Sequence, residues 1–201
     1  GTTDVGRDVN FLKAIAAQTS IHLVACGGVY MERNYPPGLS VQPEDAIAES
    51  VVREARVGRY GALGEIGEMP NAPMSPLERK VFRAIGRAHR MTNLPIFTHN
   101  AYGTGPNVPR DAGLRQLDAF ESVGVDPRWI AIGHTCCLDD PKAEVIIEIA
   151  KRGAFVGFDR VTGGLVPDDK KVVTVLAFLA SGMADRLLLS ADYNFTARSA
   201  A

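Results

Sequence analysis

Hydrophobic and polar positions follow two alternating patterns along the chain. Short apolar runs of strand length, such as "LPIFTHNA", are followed by longer segments in which apolar residues recur every three or four positions, as in "QPEDAIAESVVREAR". The first pattern predicts buried strands and the second predicts amphipathic helices. The predicted strands are IHLVACGGVYM, YGALGEIG, LPIFTHNA, WIAIGHTC, AFVGFDRV and RLLLSADYNF, and the predicted helices are DVNFLKAIAAQT, QPEDAIAESVVREAR, SPLERKVFRAIGRAHRMT, RDAGLRQLDAFESVG, PKAEVIIEIAKRG and DDKKVVTVLAFLASG.

Local signals mark several helix ends. Ser75, Pro76 and Glu78 combine an N-cap, a proline at the first helical position and the glutamate of a capping box. Gly153 and Gly182 follow predicted helices, where a glycine can adopt the left-handed backbone that closes a helix. We therefore expect one helix to begin after Ser75 and two others to end before these glycines.

Strands that alternate with helices of this length predict crossover units and a parallel sheet. Right-handed crossovers leave two main architectures, a doubly wound open sheet and an eight-stranded barrel. The nucleotide-binding form of the open sheet has little support, because the sequence has neither GxGxxG between a strand and a helix nor GxxxxGK[ST]. The segment "GTGPN" follows a strand with the wrong spacing and is interpreted as a loop.

Composition narrows the class of protein. The chain has 201 residues with 46% hydrophobic content, which suits a single domain over residues 1–201. The net charge of −1 argues against a nucleic-acid partner, and no apolar run reaches the roughly 20 residues that span a bilayer. Three cysteines, two of them adjacent, form a poor disulfide framework, so the expected location is the reducing cytoplasm.

Unusual polar residues recur at the carboxyl ends of the predicted strands. Glu65, His99, His134 and Asp192 lie there, in four different strands. In a parallel barrel that end is the catalytic face, so acids and imidazoles from four strands would converge on a single centre. Carboxylates and neutral imidazoles are ligands of divalent metals, and a cation would compensate the charge of Glu65.

Each of these residues also has a structural interpretation. A single strand-end histidine is more often hydrogen-bonded than ligating. Glu65 could pair with Arg59, and Asp192 could cap the helix that follows. Asp159 and Arg160 close another predicted strand, where the two could pair with each other. The recurrence of polar residues at the same position of successive units favours one shared site.

The ordered motifs resemble those of the phosphotriesterase family of the amidohydrolase superfamily. The segments that carry the resemblance are DVGRDVNFLKAIAAQT, ACGGVY, GEIGE, FTHNA, IGHTCCLDD, VGFDR and LSADY. The resemblance implies a (β/α)8 barrel with two divalent metal ions, and we expect zinc. It implies His99 and His134 on one metal, with Glu65 as the bridge between both. Asp192 would bind the other metal and accept the proton of the bridging hydroxide.

The resemblance is closest to the branch called phosphotriesterase homology proteins, in which a glutamate replaces the carbamylated lysine of the best-known phosphotriesterases and lactonases. Glu65 in "GEIG" stands at that place. Glu68 has no matching role, and a solvated or loop-pairing carboxylate is the favoured interpretation. The His-x-His pair of the family's first strand has no counterpart. We therefore expect about strands three to eight of the barrel, without the first two strands and the last helix.

The resemblance implies metal-dependent hydrolysis of an ester-type bond. A lactone or carboxylic ester is the preferred substrate class, and a phosphoester is the alternative. Tyr30, Arg160 and Tyr102 are the expected substrate contacts. A non-catalytic metal- or ligand-binding barrel and a purely structural domain are the other interpretations, which metal content and turnover would distinguish. The expected partner is a small-molecule substrate, and a homodimer is compatible with the sequence.

Overall fold

Strands and helices alternate along the chain, as the sequence pattern predicts. The computed structural model describes residues 6–69, 72–100, 109–160 and 166–192. The strands are β1 Cys26–Gly27, β2 Ala62–Gly67, β3 Ile96–His99, β4 Ile130–Ile132, β5 Phe155–Phe158 and β6 Leu187–Leu189. The helices are α1 Val9–Ala16, α2 Glu44–Gly58, α3 Pro76–Thr92, α4 Ala112–Glu121, α5 Glu144–Lys151 and α6 Asp168–Ala180. Across these ranges, no helix combines the length and apolar character that a membrane span requires.

The strands form one parallel sheet in the order β1-β2-β3-β4-β5-β6. Each strand therefore pairs with the next one along the chain. A doubly wound sheet would instead reverse its order at a switch point. The sequential order is that of a (β/α)8 barrel, so the described residues form part of such a barrel.

The core lies between the strands and the helices. The rings of Phe82 in α3 and Phe120 in α4 pack with their centroids 5.2 Å apart. The largest side chains with no appreciable exposed surface are Leu63, Ile66, Phe82, Ile85, Ile96, Leu117, Phe120, Ile130, Ile132, Ile146 and Phe178. Because they come from strands and helices alike, their packing fixes the strand ends that carry the polar residues.

The predicted helix boundaries are confirmed. The Ser75 hydroxyl accepts a hydrogen bond from the Glu78 backbone N–H at 3.0 Å, and the Glu78 carboxylate accepts one from the Ser75 backbone N–H at 2.8 Å. Pro76 is the first residue of α3. Gly153 and Gly182, just after α5 and α6, have left-handed φ values of 106° and 82°. The capping box and the two glycine stops therefore form as the sequence predicts.

Some strands are shorter than the apolar runs predict. The run IHLVACGGVYM predicts a long first strand, but β1 contains two residues and residues 21–25 lie outside the ladder. Ile21 and Val24 are 66% and 69% exposed. At the edge of a sheet, apolar character does not by itself supply the hydrogen bonds of a strand. β4 and β6 also stop early, so His134 and Asp192 follow their strands rather than close them.

Candidate metal centre

Three side chains converge at the carboxyl-terminal ends of neighbouring strands. His99 Nδ1 lies 3.5 Å from Glu65 Oε1, and His134 Nε2 lies 3.3 Å from the same oxygen. The two imidazole nitrogens are 2.7 Å apart. Both histidines are buried and Glu65 is partly exposed. The structure thus brings together three of the four residues that the sequence predicts at one centre.

The donor atoms of this cluster suit a divalent transition metal. Two imidazole nitrogens and one carboxylate oxygen are common ligands of zinc. With metal–ligand bonds of about 2.0–2.1 Å, the donors of a tetrahedral site lie about 3.3 Å apart. The three separations in the cluster run from 2.7 to 3.5 Å. One ion therefore fits between the three donors without any change in the fold, and a fourth coordination position is left over.

Charge compensation within the cluster accounts for the carboxylate in β2. Burial opposes the ionisation of Glu65, but hydrogen bonds from His134 and His99 hold the pKa of its carboxyl well below the usual range. Burial also disfavours a charged His134, but hydrogen bonds to Asp159 and Glu65 prevail and raise its pKa to about 9. A protonated imidazole is therefore the counter-ion of Glu65 in the metal-free protein. A bound metal would take over this role and displace the proton.

Asp159, the residue after β5, holds His134 by both its backbone and its ring. The His134 backbone N–H donates to the two Asp159 carboxylate oxygens at 2.9 and 3.1 Å, and His134 Nδ1 lies 2.8 Å from Asp159 Oδ1. His134 has a left-handed backbone, with φ 57° and ψ 22°, which is uncommon outside glycine. A Cβ on the preceding Gly133 would lie 2.2 Å from the Thr98 carbonyl oxygen, so this turn requires glycine.

His99 is held differently. Its carbonyl accepts hydrogen bonds from Gln116 Nε2 at 3.2 Å and from the Glu68 backbone N–H at 3.3 Å. The Tyr30 hydroxyl lies 3.1 Å from His99 Nδ1, and the two rings meet edge-to-face with centroids 5.1 Å apart. Burial and the nearby charge of Glu65 raise the pKa of Tyr30 to about 12. The Tyr30 phenol is therefore neutral beside the cluster at ordinary pH.

The other predicted site residues have separate places. Among the described residues, the three-donor cluster does not include Asp192. Asp192 instead forms an ion pair with Arg160, with 2.8 Å between Arg160 Nε and Asp192 Oδ2. The charges of both residues act on Tyr30, which indicates that the pair faces the same region. Tyr102 lies outside the described residues. The ligand and proton-acceptor roles of Asp192 stay predictions.

Two alternative interpretations are wrong. Glu65 contacts the two histidines and not Arg59, which caps α2. Arg160 pairs with Asp192, because Asp159 is engaged by His134. Neither choice of partner could be read from spacing, since each depends on which strand ends meet in space.

Glu68 is not solvated, contrary to the sequence interpretation. It has no exposed surface, and its carboxylate lies 3.1 Å from Arg115 Nη2 on α4. Burial raises the pKa of Glu68 to about 7, while Arg115 acts in the opposite direction. Sequence reasoning also missed the roles of Asp159 and Gln116. The strand-end position of Asp159 was an available signal, whereas Gln116 and Arg115 carried none.

The fold and the cluster define a class, a (β/α)8-type barrel with a carboxylate–imidazole cluster suited to a metal ion at the carboxyl ends of its strands. The chain belongs to the phosphotriesterase family, whose family model matches residues 1–201. The predicted resemblance and the predicted barrel fold are both confirmed.

Individual relatives agree with this assignment. The chain is 31% identical to the phosphotriesterase homology protein of Escherichia coli, over 94% of the chain and 63% of that protein. The crystal structure of that protein, which has phosphate in its active site, superposes with a TM-score of 0.82 at 30% identity, over 92% of this chain and 62% of that one. An aryldialkylphosphatase of Saccharolobus solfataricus is 32% identical over 94% of the chain and 59% of the relative.

A lactonase from Listeria monocytogenes has a similar structure, with a TM-score of 0.76 at 26% identity, over 92% of this chain and 60% of the lactonase. The chain therefore spans about 60% of the length of the relatives and structures that it matches.

Proposed function

We propose that the protein is a metal-dependent hydrolase of ester-type bonds, with lactones and carboxylic esters preferred over phosphoesters. The observation that carries the proposal is the convergence of Glu65, His99 and His134 donor atoms within 4.8 Å of one another. The similarity to a lactonase and to an aryldialkylphosphatase supports an ester-type substrate. Family membership supports hydrolysis over a purely structural role for the cluster.

We assign the cluster to one divalent ion, with zinc as the expected metal. Glu65 and Asp192 are the residues of this chain that would hold a second ion. Such ions, when bound, lower the pKa of a water molecule toward neutrality and polarise a carbonyl or phosphoryl oxygen. The protein's residues would hold the metal-binding donor atoms in place and accept the proton of the attacking water.

The residues around the cluster divide these tasks. Asp159 accepts from His134 Nδ1, which leaves Nε2 directed at the centre. We propose that Asp192 takes the proton of the attacking water as a general base. Arg160, 2.8 Å from Asp192, holds this carboxylate at the edge of the site. Tyr30, with Tyr102, is proposed to contact the substrate.

The pairing of Arg160 bears on the substrate class. Its guanidinium charge is matched by Asp192, and Tyr30 stays neutral because burial raises its pKa to about 12. Apart from the proposed ions, the Arg160–Asp192 pair and the neutral Tyr30 phenol therefore add no net charge to attract an anionic phosphomonoester. They suit a neutral ester or lactone, whose carbonyl needs only polarisation.

Metal analysis combined with a substrate panel tests the proposal. The purified protein, loaded with zinc, is assayed on an aliphatic lactone, an aryl acetate and a dialkyl aryl phosphate. We expect bound zinc and turnover of the lactone or the acetate, both lost in the Glu65→Gln variant. Bound metal with no turnover of any substrate would favour the non-catalytic binding barrel. Absence of metal binding would overturn the assignment of the centre.

A further inference from the structure

We propose that Glu68, Arg115 and Gln116 form a buried polar support that positions His99 for metal binding. The proposal rests on the proposed metal centre. We term these three residues the β2–α4 support: Glu68 directly follows β2, and Arg115 and Gln116 lie in α4. None of them belongs to the three-donor cluster, and each would act on it only through His99.

Contacts at the end of β3 carry the first step. His99 is the last residue of β3, and its carbonyl accepts from both Gln116 Nε2 and the Glu68 backbone N–H, at 3.2 and 3.3 Å. A carbonyl oxygen has two lone pairs, so these two donors satisfy it fully. They fix the carbonyl from two different elements, and the direction of the Cα–Cβ bond of His99 is fixed with it. The position of His99 Nδ1, which faces Glu65, is therefore fixed through the backbone of His99.

The ion pair of the support holds these donors in place. The Glu68 carboxylate lies 3.1 Å from Arg115 Nη2, and Arg115 is adjacent to Gln116 on α4. The pair ties the end of β2 to the same turn of α4 that reaches the His99 carbonyl. A change in Arg115 would therefore move both donors to His99.

The burial of these polar groups indicates that the support positions His99 rather than stabilises the fold. Glu68 and Gln116 have no exposed surface. A buried ion pair costs much desolvation energy, and well-packed apolar residues in its place are often neutral or stabilising. Within the described ranges, Glu68 Oε1, Arg115 Nε and Gln116 Oε1 are also buried without a hydrogen-bond partner. Three such atoms in three contacting residues make the support a poor contributor to stability.

Zinc affinity and stability, measured side by side, test the proposal. Gln116→Met keeps the side-chain length and removes the donor to His99, and Arg115→Met removes the partner of Glu68. Arg152→Met is the matched control, because Arg152, like Arg115, pairs with two carboxylates, and these are Asp118 and Glu121 rather than Glu68. Zinc dissociation constants come from chelator competition, and melting temperatures come from the metal-free proteins.

We expect Gln116→Met and Arg115→Met to weaken zinc binding about tenfold, the low end of the loss seen for residues that orient metal ligands. Arg115→Lys, which keeps the charge beside Glu68, should recover part of the affinity. Arg152→Met should lower the melting temperature and leave zinc affinity unchanged.

Zinc affinity within twofold of wild type in Gln116→Met would overturn the proposal. If Arg115→Met does not fold, Gln116→Met and Arg115→Lys still decide it. Wild-type protein that binds no zinc would overturn the metal centre and the support together. Zinc binding that Glu65→Gln abolishes and the support variants leave intact would overturn the support alone.

Discussion

His99 and His134 present ring nitrogens 2.7 Å apart to the same carboxylate, yet the protein holds them by opposite means. His134 is held at its ring and its own backbone N–H by the single side chain of Asp159. His99 is held at its backbone carbonyl, by the Gln116 side chain and the Glu68 N–H. The ring of His134 therefore depends on the charge of one carboxylate, and His99 depends on backbone hydrogen bonds that join β2, β3 and α4.

The difference follows from where each histidine lies in its strand. His99 is the last residue of β3, where the ladder already orders the backbone. His134 follows β4 by two residues and has a left-handed backbone, so no ladder supports it. A carboxylate that accepts both its backbone N–H and its ring nitrogen replaces the missing ladder. The comparison predicts that variants near His134 change zinc affinity by removing a charge. Variants near His99 should change it by altering the position of the His99 backbone.

The largest effect is expected where the two histidines meet, at Glu65. Glu65→Gln keeps the side-chain shape and removes the charge that compensates both imidazoles or a bound cation. We expect zinc affinity to fall more than about 100-fold, above the range for residues that only orient ligands. Chelator competition measures the change.

Glu68→Gln is the matched control for Glu65→Gln. It makes the same substitution three residues along the chain, at a carboxylate outside the three-donor cluster. Its effect on zinc affinity should be far smaller. Equal losses in the two variants would show that Glu65 is not a ligand and that the two histidines do not share it.

A smaller but still large effect is expected at Asp159. Asp159→Asn retains an acceptor oxygen and loses the charge that stabilises the His134 ring in its present orientation. We expect zinc affinity to fall about 10- to 100-fold, as for other carboxylates that orient a ligating histidine. The measurement is again chelator competition, together with the melting temperature of the metal-free protein.

The control for Asp159 is Asp140→Asn. Asp140 also accepts a backbone N–H, but it is fully buried and its partners are Arg110 and the first turn of α5. This variant should lower the melting temperature without a change in zinc affinity. If Asp159→Asn behaves in the same way, the carboxylate serves only the fold, and the contrast between the two histidines disappears.

Much of the fold and the three donors of the cluster could be predicted from the sequence. The capping box at Ser75 and the glycine stops are local signals, and local signals do not depend on what the chain packs against. Glu65, His99 and His134 each lie at or near the carboxyl end of a predicted strand, and a parallel sheet brings residues at such positions together. The short β1 could not be predicted, because pairing depends on neighbours at the sheet edge.

The supporting residues lie beyond what the pattern can show. Arg115 and Gln116 occupy an ordinary amphipathic helix, and only tertiary packing aims them at β2 and β3. Arg160 had two acids within reach of the same sheet edge, Asp159 and Asp192. The left-handed turn at His134 directs the His134 backbone N–H to Asp159. Asp159 is therefore engaged, and Arg160 pairs with Asp192.

The pH dependence of zinc binding should report His134 directly. Hydrogen bonds to Asp159 and Glu65 raise the His134 pKa to about 9 in the metal-free protein. Zinc needs the neutral imidazole, so binding at pH 7 should release one proton from this residue. Apparent affinity should then rise about tenfold per pH unit between about 6.5 and 9 and level off above that.

The stability of the metal-free protein should change in the opposite direction. A folded pKa above the unfolded value of about 6.5 stabilises the folded state below that pH, and the contribution is lost as pH rises toward 9. Melting temperature should fall across this window in wild type and less in Asp159→Asn. Proton release on zinc binding, measured with a pH indicator, checks the first prediction. Melting curves across the pH range check the second. A flat zinc affinity from pH 6.5 to 9 would contradict the raised pKa.

The smallest effect is expected for Tyr30→Phe, which tests whether His99 is independent of a ring partner. The Tyr30 hydroxyl lies 3.1 Å from His99 Nδ1, the nitrogen that faces the cluster. A metal on that nitrogen would compete with the phenol, so the hydrogen bond should contribute little to the loaded site. Zinc affinity should stay within about threefold of wild type, at the low end of what a neutral hydrogen bond contributes. The KM for a lactone should rise, because Tyr30 is a proposed substrate contact. A loss of zinc affinity as large as that of Asp159→Asn would mean that His99, like His134, is oriented at its ring.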